Sequence, residues 1–198
     1  MKNRLFLTWC FLIPLSLAAQ SRTSKPLSLS LFNNATLFPP ASFTAIFNQP
    51  LHPGLAAGYE FGWKQKEYSK WFQDVSVAFF SHRYAYRALL IYSRAGYRRC
   101  LGHLTVEGSL HSGYMHMFLV TDRLVKQEDG SYEARKGFGK PQFIAGAGAG
   151  IGYLLGGKES GRRLFLNYDV RLQMPFVKSY VPLLPNGIVS LGIQMSIK

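Results

Sequence analysis

The chain has 198 residues and a formal net charge of +13, with 15% aromatic residues, 19 glycines and only 17% charged residues. Past residue 17 no apolar run approaches the roughly 18 residues of a membrane-spanning helix, which excludes a helical membrane protein. The glycine- and aromatic-rich, charge-poor balance is unusual for a soluble domain. The excess cations are expected to solvate loops and turns or to meet anionic lipid headgroups, and no nucleic-acid partner is expected.

The N-terminus comes first. Lys2 and Arg4 precede an apolar run over 5–17, followed by Ser16, Leu17, Ala18, Ala19 and Gln20. A basic start, a run too short to span and small residues near a cleavage point predict a secretory signal peptide over 1–19, cut after Ala18 or Ala19. Cys10 lies inside the run with Trp9 before it, where lipidation needs a small residue, so lipidation is rejected. Cleavage leaves Cys100 as the sole cysteine and rules out an intramolecular disulfide. The remaining span, 20–198, is about 180 residues without a Ser/Pro-rich linker, enough for a single domain.

That span reads as a succession of two-faced strands, because successive side chains of a strand point to opposite faces. The segment 27–32 alternates cleanly. Over 55–64, Leu55, Ala57, Tyr59, Phe61 and Trp63 oppose Gly58, Glu60, Gly62 and Lys64. Over 74–83, Val75, Val77 and Phe79 oppose Ser76, Ala78 and His82. Over 89–98, Leu89, Ile91, Ala95 and Tyr97 oppose Tyr92, Arg94, Gly96 and Arg98. Over 104–118, Leu104, Val106, Leu110, Tyr114 and Phe118 oppose Thr105, Glu107, Ser109, His111 and Gly113. Glycines 146, 148, 150 and 152 share one face of 143–155, and Leu166, Tyr168, Val170, Leu172 and Met174 share one face of 164–174. The last segment alternates from Val189 to Lys198, with Leu191, Ile193, Met195 and Ile197 opposite Ser190, Gly192, Gln194 and Ser196.

These eight candidates are an even number, and several are about 10 residues long, as a tilted strand crossing a bilayer requires. Glu60, Arg94, Glu107, Asp169 and Arg171 fall mid-strand on the polar faces, where a narrow barrel lets them pair across its interior. Connections expected outside the cell (33–54, 84–88, 119–141, 175–187) include the two longest, whereas 65–73, 99–103 and 156–163 are short. Outer-membrane barrels show that asymmetry. Tyr59, Trp63, Tyr97, Tyr114, Phe118 and Tyr153 sit towards strand ends on apolar faces, the place of an interfacial aromatic girdle.

The export signal, the eight alternating segments and the C-terminal strand resemble the small outer-membrane barrels of the OmpA-domain and OmpX kind. The segment His52-Pro53-Gly54-Leu55-Ala56-Ala57-Gly58-Tyr59-Glu60 is similar to the opening of exported barrel proteins. The resemblance spans the whole of 20–198 and implies an all-β fold, an antiparallel up-and-down transmembrane barrel of eight strands in the outer membrane. Its implied partners are outer-membrane lipid or lipopolysaccharide and the assembly machinery that reads the last strand. The chain departs from the usual terminal aromatic by ending Ser196-Ile197-Lys198.

Few motifs suggest chemistry. The run Gly152 to Glu159 nearly spells a phosphate-binding loop, but Glu159 replaces the Ser or Thr that holds Mg²⁺ and would repel phosphate. The glycines of 146–152 are expected to relieve crowding inside a narrow barrel, with a lumen kept open for a small solute or water as the other reading. Glu107, Ser109 and His111 share a face and contain the ingredients of nucleophilic hydrolysis. Same-strand spacing puts Glu107 on the far side of Ser109 from His111, so the expected arrangement is an interior network pairing Glu107 with Arg94 or Arg171. His111 and His116 occupy opposite faces, and the histidines form no recognisable metal site. His82, Arg83, Tyr84, Tyr86 and Arg87 are expected at a tight outer turn near lipopolysaccharide phosphates. The polar stretch 122–140, with a turn at Asp129-Gly130, is expected to be an exposed loop or protruding hairpin, so the 119–141 connection is where a surface partner would bind.

The expectation is therefore a structural or surface-interaction barrel, not an enzyme, with no catalytic, cofactor or metal residues assigned. A lipid A hydrolase using Ser109 and His111 is one alternative. A soluble exported sandwich or lipocalin-like binder, with the apolar faces turned inward, is the other.

Overall fold

A computed structural model describes residues 25–37, 50–82, 85–120, 123–126, 132–135, 137–156, 161–175 and 183–197. The signal-peptide span, Arg83-Tyr84, Asp129-Gly130 and residues 157–160 lie outside the described residues. Among the described residues there are ten strands: β1 (Lys25–Thr36), β2 (Pro53–Lys66), β3 (Ser69–His82), β4 (Tyr86–Leu101), β5 (Leu104–Leu119), β6 (Arg123–Lys126), β7 (Tyr132–Arg135), β8 (Lys140–Leu155), β9 (Arg162–Met174) and β10 (Leu184–Ile197). Eight of them form a closed barrel in the order β1-β10-β9-β8-β5-β4-β3-β2, and β6 pairs only with β7. Every barrel neighbour is antiparallel, and β1 closes on β10 from Lys25↔Ile197 to Thr36↔Asn186. Closure leaves no unpaired edge, which any sheet crossing a bilayer requires.

The alternation runs as the sequence suggests, with apolar side chains outward. Leu31 and Leu110 expose 67% and 68% of their surface, while Glu60, Asp74, Glu107, Asp169 and Arg171 are buried inside. The reading of a soluble binder with its apolar faces turned inward is thereby overturned. Among the described residues no helix is long and apolar enough to span a membrane.

Strand ends differ from the sequence reading. β1 continues past Phe32 through Asn33 and Asn34 to Thr36, β3 starts at Ser69 instead of residue 74, and β10 starts at Leu184, inside the expected 175–187 connection. Asn33 and Asn34, Ser69 and Lys70, and Pro185-Asn186-Gly187 read as loop, yet ladder bonds to β10, β4 and β9 hold them extended. The short connections shrink accordingly. Glu67-Tyr68 joins β2 to β3, and Gly102-His103 joins β4 to β5 with Gly102 at φ 65°, a left-handed conformation that favours glycine. At the opposite end the long 120–139 connection contains the β6–β7 hairpin.

Candidate functional site

The lumen is filled in layers. In the layer nearest the short turns, Arg98 on β4 donates from Nε to Glu107 Oε2 at 2.7 Å and from Nη2 to Glu60 Oε2 at 2.8 Å. Arg163 Nη1 on β9 donates to the same Glu107 oxygen at 2.7 Å, and Lys70 and Gln194 donate to Glu60 at 2.7 and 2.8 Å. The Arg98 guanidinium also lies 4.4 Å over the Phe72 ring. Each buried charge is thus paired and hydrogen-bonded, which is what makes its removal from water tolerable.

Register explains these partners and corrects the expectation that Glu107 pairs with Arg94 or Arg171. Glu107 is directly opposite Arg98, whereas Arg94 is opposite Asp74 on its other side and donates to it at 2.7 Å. Arg171 instead packs 5.1 Å from the Tyr92 ring. Arg163 lies opposite Leu154 of β8, the strand that separates it from β5, and reaches Glu107 by passing over Gly152 and Gly150. A Cβ on Gly152 would lie 3.2 Å from Arg163 Cδ, and one on Gly150 or Gly148 would fall on the side chain of Asn167 or Asp169. The glycine row therefore makes room for side chains of β5 and β9 to meet across β8, and it does not hold an open lumen.

The middle layer contains Asp74, Ser76, Arg94, His111 and Asp169. Ser76 Oγ donates to Asp74 Oδ1 at 3.1 Å, and His111 Nδ1 lies 3.9 Å from Asp169 Oδ1. A cavity of about 20 Å³ remains, bordered by Ser28, Ser30, Ser76, Asp169 and Ser190, with room for a water or two. Above it the lumen turns apolar: Phe32, Phe80, Leu90, Met115, Ile144 and Ile188 form one buried cluster. At the mouth an amide chain runs from Asn34 through Asn186 and Gln173 to Gln142, with steps of 3.4, 3.4 and 2.6 Å. Beside it His52 stacks on His82 at 3.7 Å, and His82 on Tyr86 at 5.3 Å.

The residues singled out for hydrolysis are not assembled for it. Glu107, Ser109 and His111 all face the lumen, but Glu107 is held by two arginines and His111 turns to Asp169 and Tyr92. Among the described residues Ser109 has no hydrogen bond to either. His116 is indeed on the opposite face from His111, bonded to the Tyr114 hydroxyl at 2.7 Å and to the Phe138 carbonyl at 2.8 Å. Tyr86 is corrected from an outer-turn residue to a buried one packed on Phe80, while Arg87 does face outward and is exposed. Gly152 sits in β8, and among the described residues no helix follows it to face a phosphate.

Outside, the apolar belt is bounded by aromatics. Towards the short turns lie Tyr59, Trp63, Trp71, Tyr97 and Tyr153, with Trp71 and Tyr97 5.1 Å apart. Towards the long connections lie Tyr114, Phe118 and Phe143, with Phe138 99% exposed beyond them. Trp71 escaped the sequence reading because its strand was begun too late, although its alternation with Phe72 and Val75 carried the signal.

No family model and no curated protein matches this chain. Several solved structures do. Neisserial surface protein A superposes with a TM-score of 0.55 at 12% identity, covering 88% of this chain and 98% of its own. The outer membrane enzyme PagL (TM-score 0.47, 13% identity, 86% and 99% covered) and Ail, the attachment invasion locus protein of Yersinia pestis (0.45, 11%, 86% and 97%), are more distant. At these identities the likeness is one of fold: a small outer-membrane type of barrel with eight antiparallel strands.

Proposed function

We propose that this chain is an outer-membrane barrel with a structural or surface-interaction role, that its 119–141 connection meets a partner outside the cell, and that it carries out no catalysis. One observation supports this above the others: the exterior is a continuous apolar belt edged by aromatics, while the lumen is closed by an ion-paired layer, an apolar layer and an amide chain. Such a body suits insertion in a bilayer, and the side chains that fill its lumen argue against bulk solute passage. What remains for recognition is the polar end carrying the β6–β7 hairpin, since binding residues concentrate on loops held by a rigid scaffold. Outer-leaflet lipopolysaccharide is the expected lipid there, next to Arg87, Phe118 and Phe138.

Density-gradient separation of membranes, followed by protease treatment of intact cells, tests the proposal. The chain should sediment with outer membranes, and surface protease should cut it within 119–141 or the other connections at that end, and not at the short turns 67–68 and 102–103. Recovery in a soluble fraction, or cleavage confined to the short-turn end, would contradict it.

A further inference from the structure

We infer that the outer face of β2–β4, at the end carrying the short turns, is a binding site for an anionic phospholipid. Three strands set its headgroup side in register. Lys66, Ser69 and Arg99 are consecutive lateral partners, and one step further into the membrane Lys64, Trp71 and Tyr97 are. Adjacent strands lie about 4.8 Å apart, so the Lys66 and Arg99 backbones are about 10 Å apart with the Ser69 hydroxyl between them, a width that suits a phosphodiester. Lys64, Lys66 and Arg99 are exposed, and among the described residues none has an ion-pair partner. Glu67, the acidic residue of the adjoining turn, is engaged by the Tyr68 hydroxyl.

A second feature continues from the same strand. Tyr97 has Gly108 as its partner on β5, and directly above it the outward positions of β4 are Ala95 and Ser93, whose β5 partners are Leu110 and Ser112. Nothing lies within 4 Å of where a Gly108 Cβ would stand. Ala95 and Ser93 thus form a shallow trough along β4, walled on the β5 side by Leu110, which is 68% exposed. Ser93 is satisfied locally, since Gln73 Nε2 donates to its Oγ at 2.8 Å. Small residues alone would mean little. Here the trough runs inward from the aromatic pair, whose other side meets the cations, so one lipid spans all three: phosphate on Lys66, Ser69 and Arg99, glycerol against Trp71 and Tyr97, and a chain along β4.

The inference rests on the membrane-inserted reading above, and the test separates the two. Trp63 and Trp71 flank the site, and Trp9 is the remaining tryptophan. The full chain carrying Trp9→Phe is folded into phosphatidylcholine vesicles containing a minor fraction of brominated phosphatidylglycerol or, in parallel, brominated phosphatidylcholine. Quenching of tryptophan fluorescence then reports which lipid sits at the patch. Phosphatidylglycerol should be preferred by about 25-fold, Lys66 and Arg99 each contributing roughly fivefold near a charged surface. Lys66→Gln with Arg99→Gln should bring the ratio to about one, and Arg87→Gln, at the other rim, should leave it unchanged. Equal quenching by the two lipids, a preference that survives the double substitution, or one lost equally with Arg87→Gln would overturn the site while leaving the barrel intact. Failure of the unsubstituted chain to insert at all would overturn the membrane reading and this inference with it.

Discussion

Arg163 on β9 donates to Glu107 on β5 at 2.7 Å although β8 runs between their strands. The contact exists because β8 places Gly150 and Gly152 beneath it, and the same strand lets His111 and Asp169 approach over Gly146 and Gly148. Packing across a strand, which ordinary side chains forbid, is how this narrow barrel fills itself. The lumen is held by that arrangement as much as by any single pair.

The glycine row should accordingly resist even one methyl group. A Cβ at Gly148 falls on the Asp169 carboxylate. Gly148→Ala is expected to cost about 1–3 kcal/mol by overpacking. Ala147→Gly, on the exposed outer face, should cost no more than about 1 kcal/mol. Urea unfolding from vesicles, followed by tryptophan fluorescence, measures both.

Removing Glu107 strands two arginines at once. Glu107→Ala should destabilise by about 3–5 kcal/mol, since Arg98 and Arg163 lose their shared acceptor in a buried layer. Lys70→Ala should cost about 1 kcal/mol or less, because the Lys70 side chain is 22% accessible and Glu60 keeps Arg98 and Gln194. Raising the salt concentration should leave the Glu107 effect unchanged, because buried pairs are poorly screened. The same unfolding experiment at two ionic strengths decides it.

Depth should govern the outer face. Leu191 lies mid-strand in β10 at 55% exposure, and Leu101 ends β4 at 56%. Near-equal exposure would make Leu191→Arg and Leu101→Arg equivalent in a soluble protein. In a bilayer the first should cost about 2–4 kcal/mol and the second about 0–1. Equal costs would argue against a membrane at this surface.

The lumen should not conduct. With the Glu60–Arg98–Glu107–Arg163 layer at one end and Phe32, Phe80, Leu90 and Met115 towards the other, planar-bilayer recordings should show no discrete openings. Phe80→Ala with Met115→Ala should remain silent, because the ionic layer stays closed. Openings in the unsubstituted protein would refute the plug.

Much of this architecture was legible as alternation. The outward rows on β2 to β5 and β8 to β10 are the rows that the period of two picks out, since a closed sheet in lipid leaves each strand one apolar and one mixed face. What alternation does not reveal is register. Whether Glu107 meets Arg98 or Arg94 depends on a shift between β4 and β5 that no single strand encodes. The apolar layer was hidden for another reason: Phe80, Leu90 and Ile144 sit on inward faces read as polar, and only closure brings them together. Asn33, Asn34, Ser69 and Lys70 were lost to loops because polar residues extended by a neighbouring strand look no different from polar residues in a turn.

Gel migration of the chain extracted from outer membranes tests the closed, membrane-inserted barrel most directly. Unheated, the protein should run as a compact, detergent-resistant species, and boiling should shift it to the mobility of the unfolded chain. A single mobility under both conditions, from protein recovered without detergent, would contradict it.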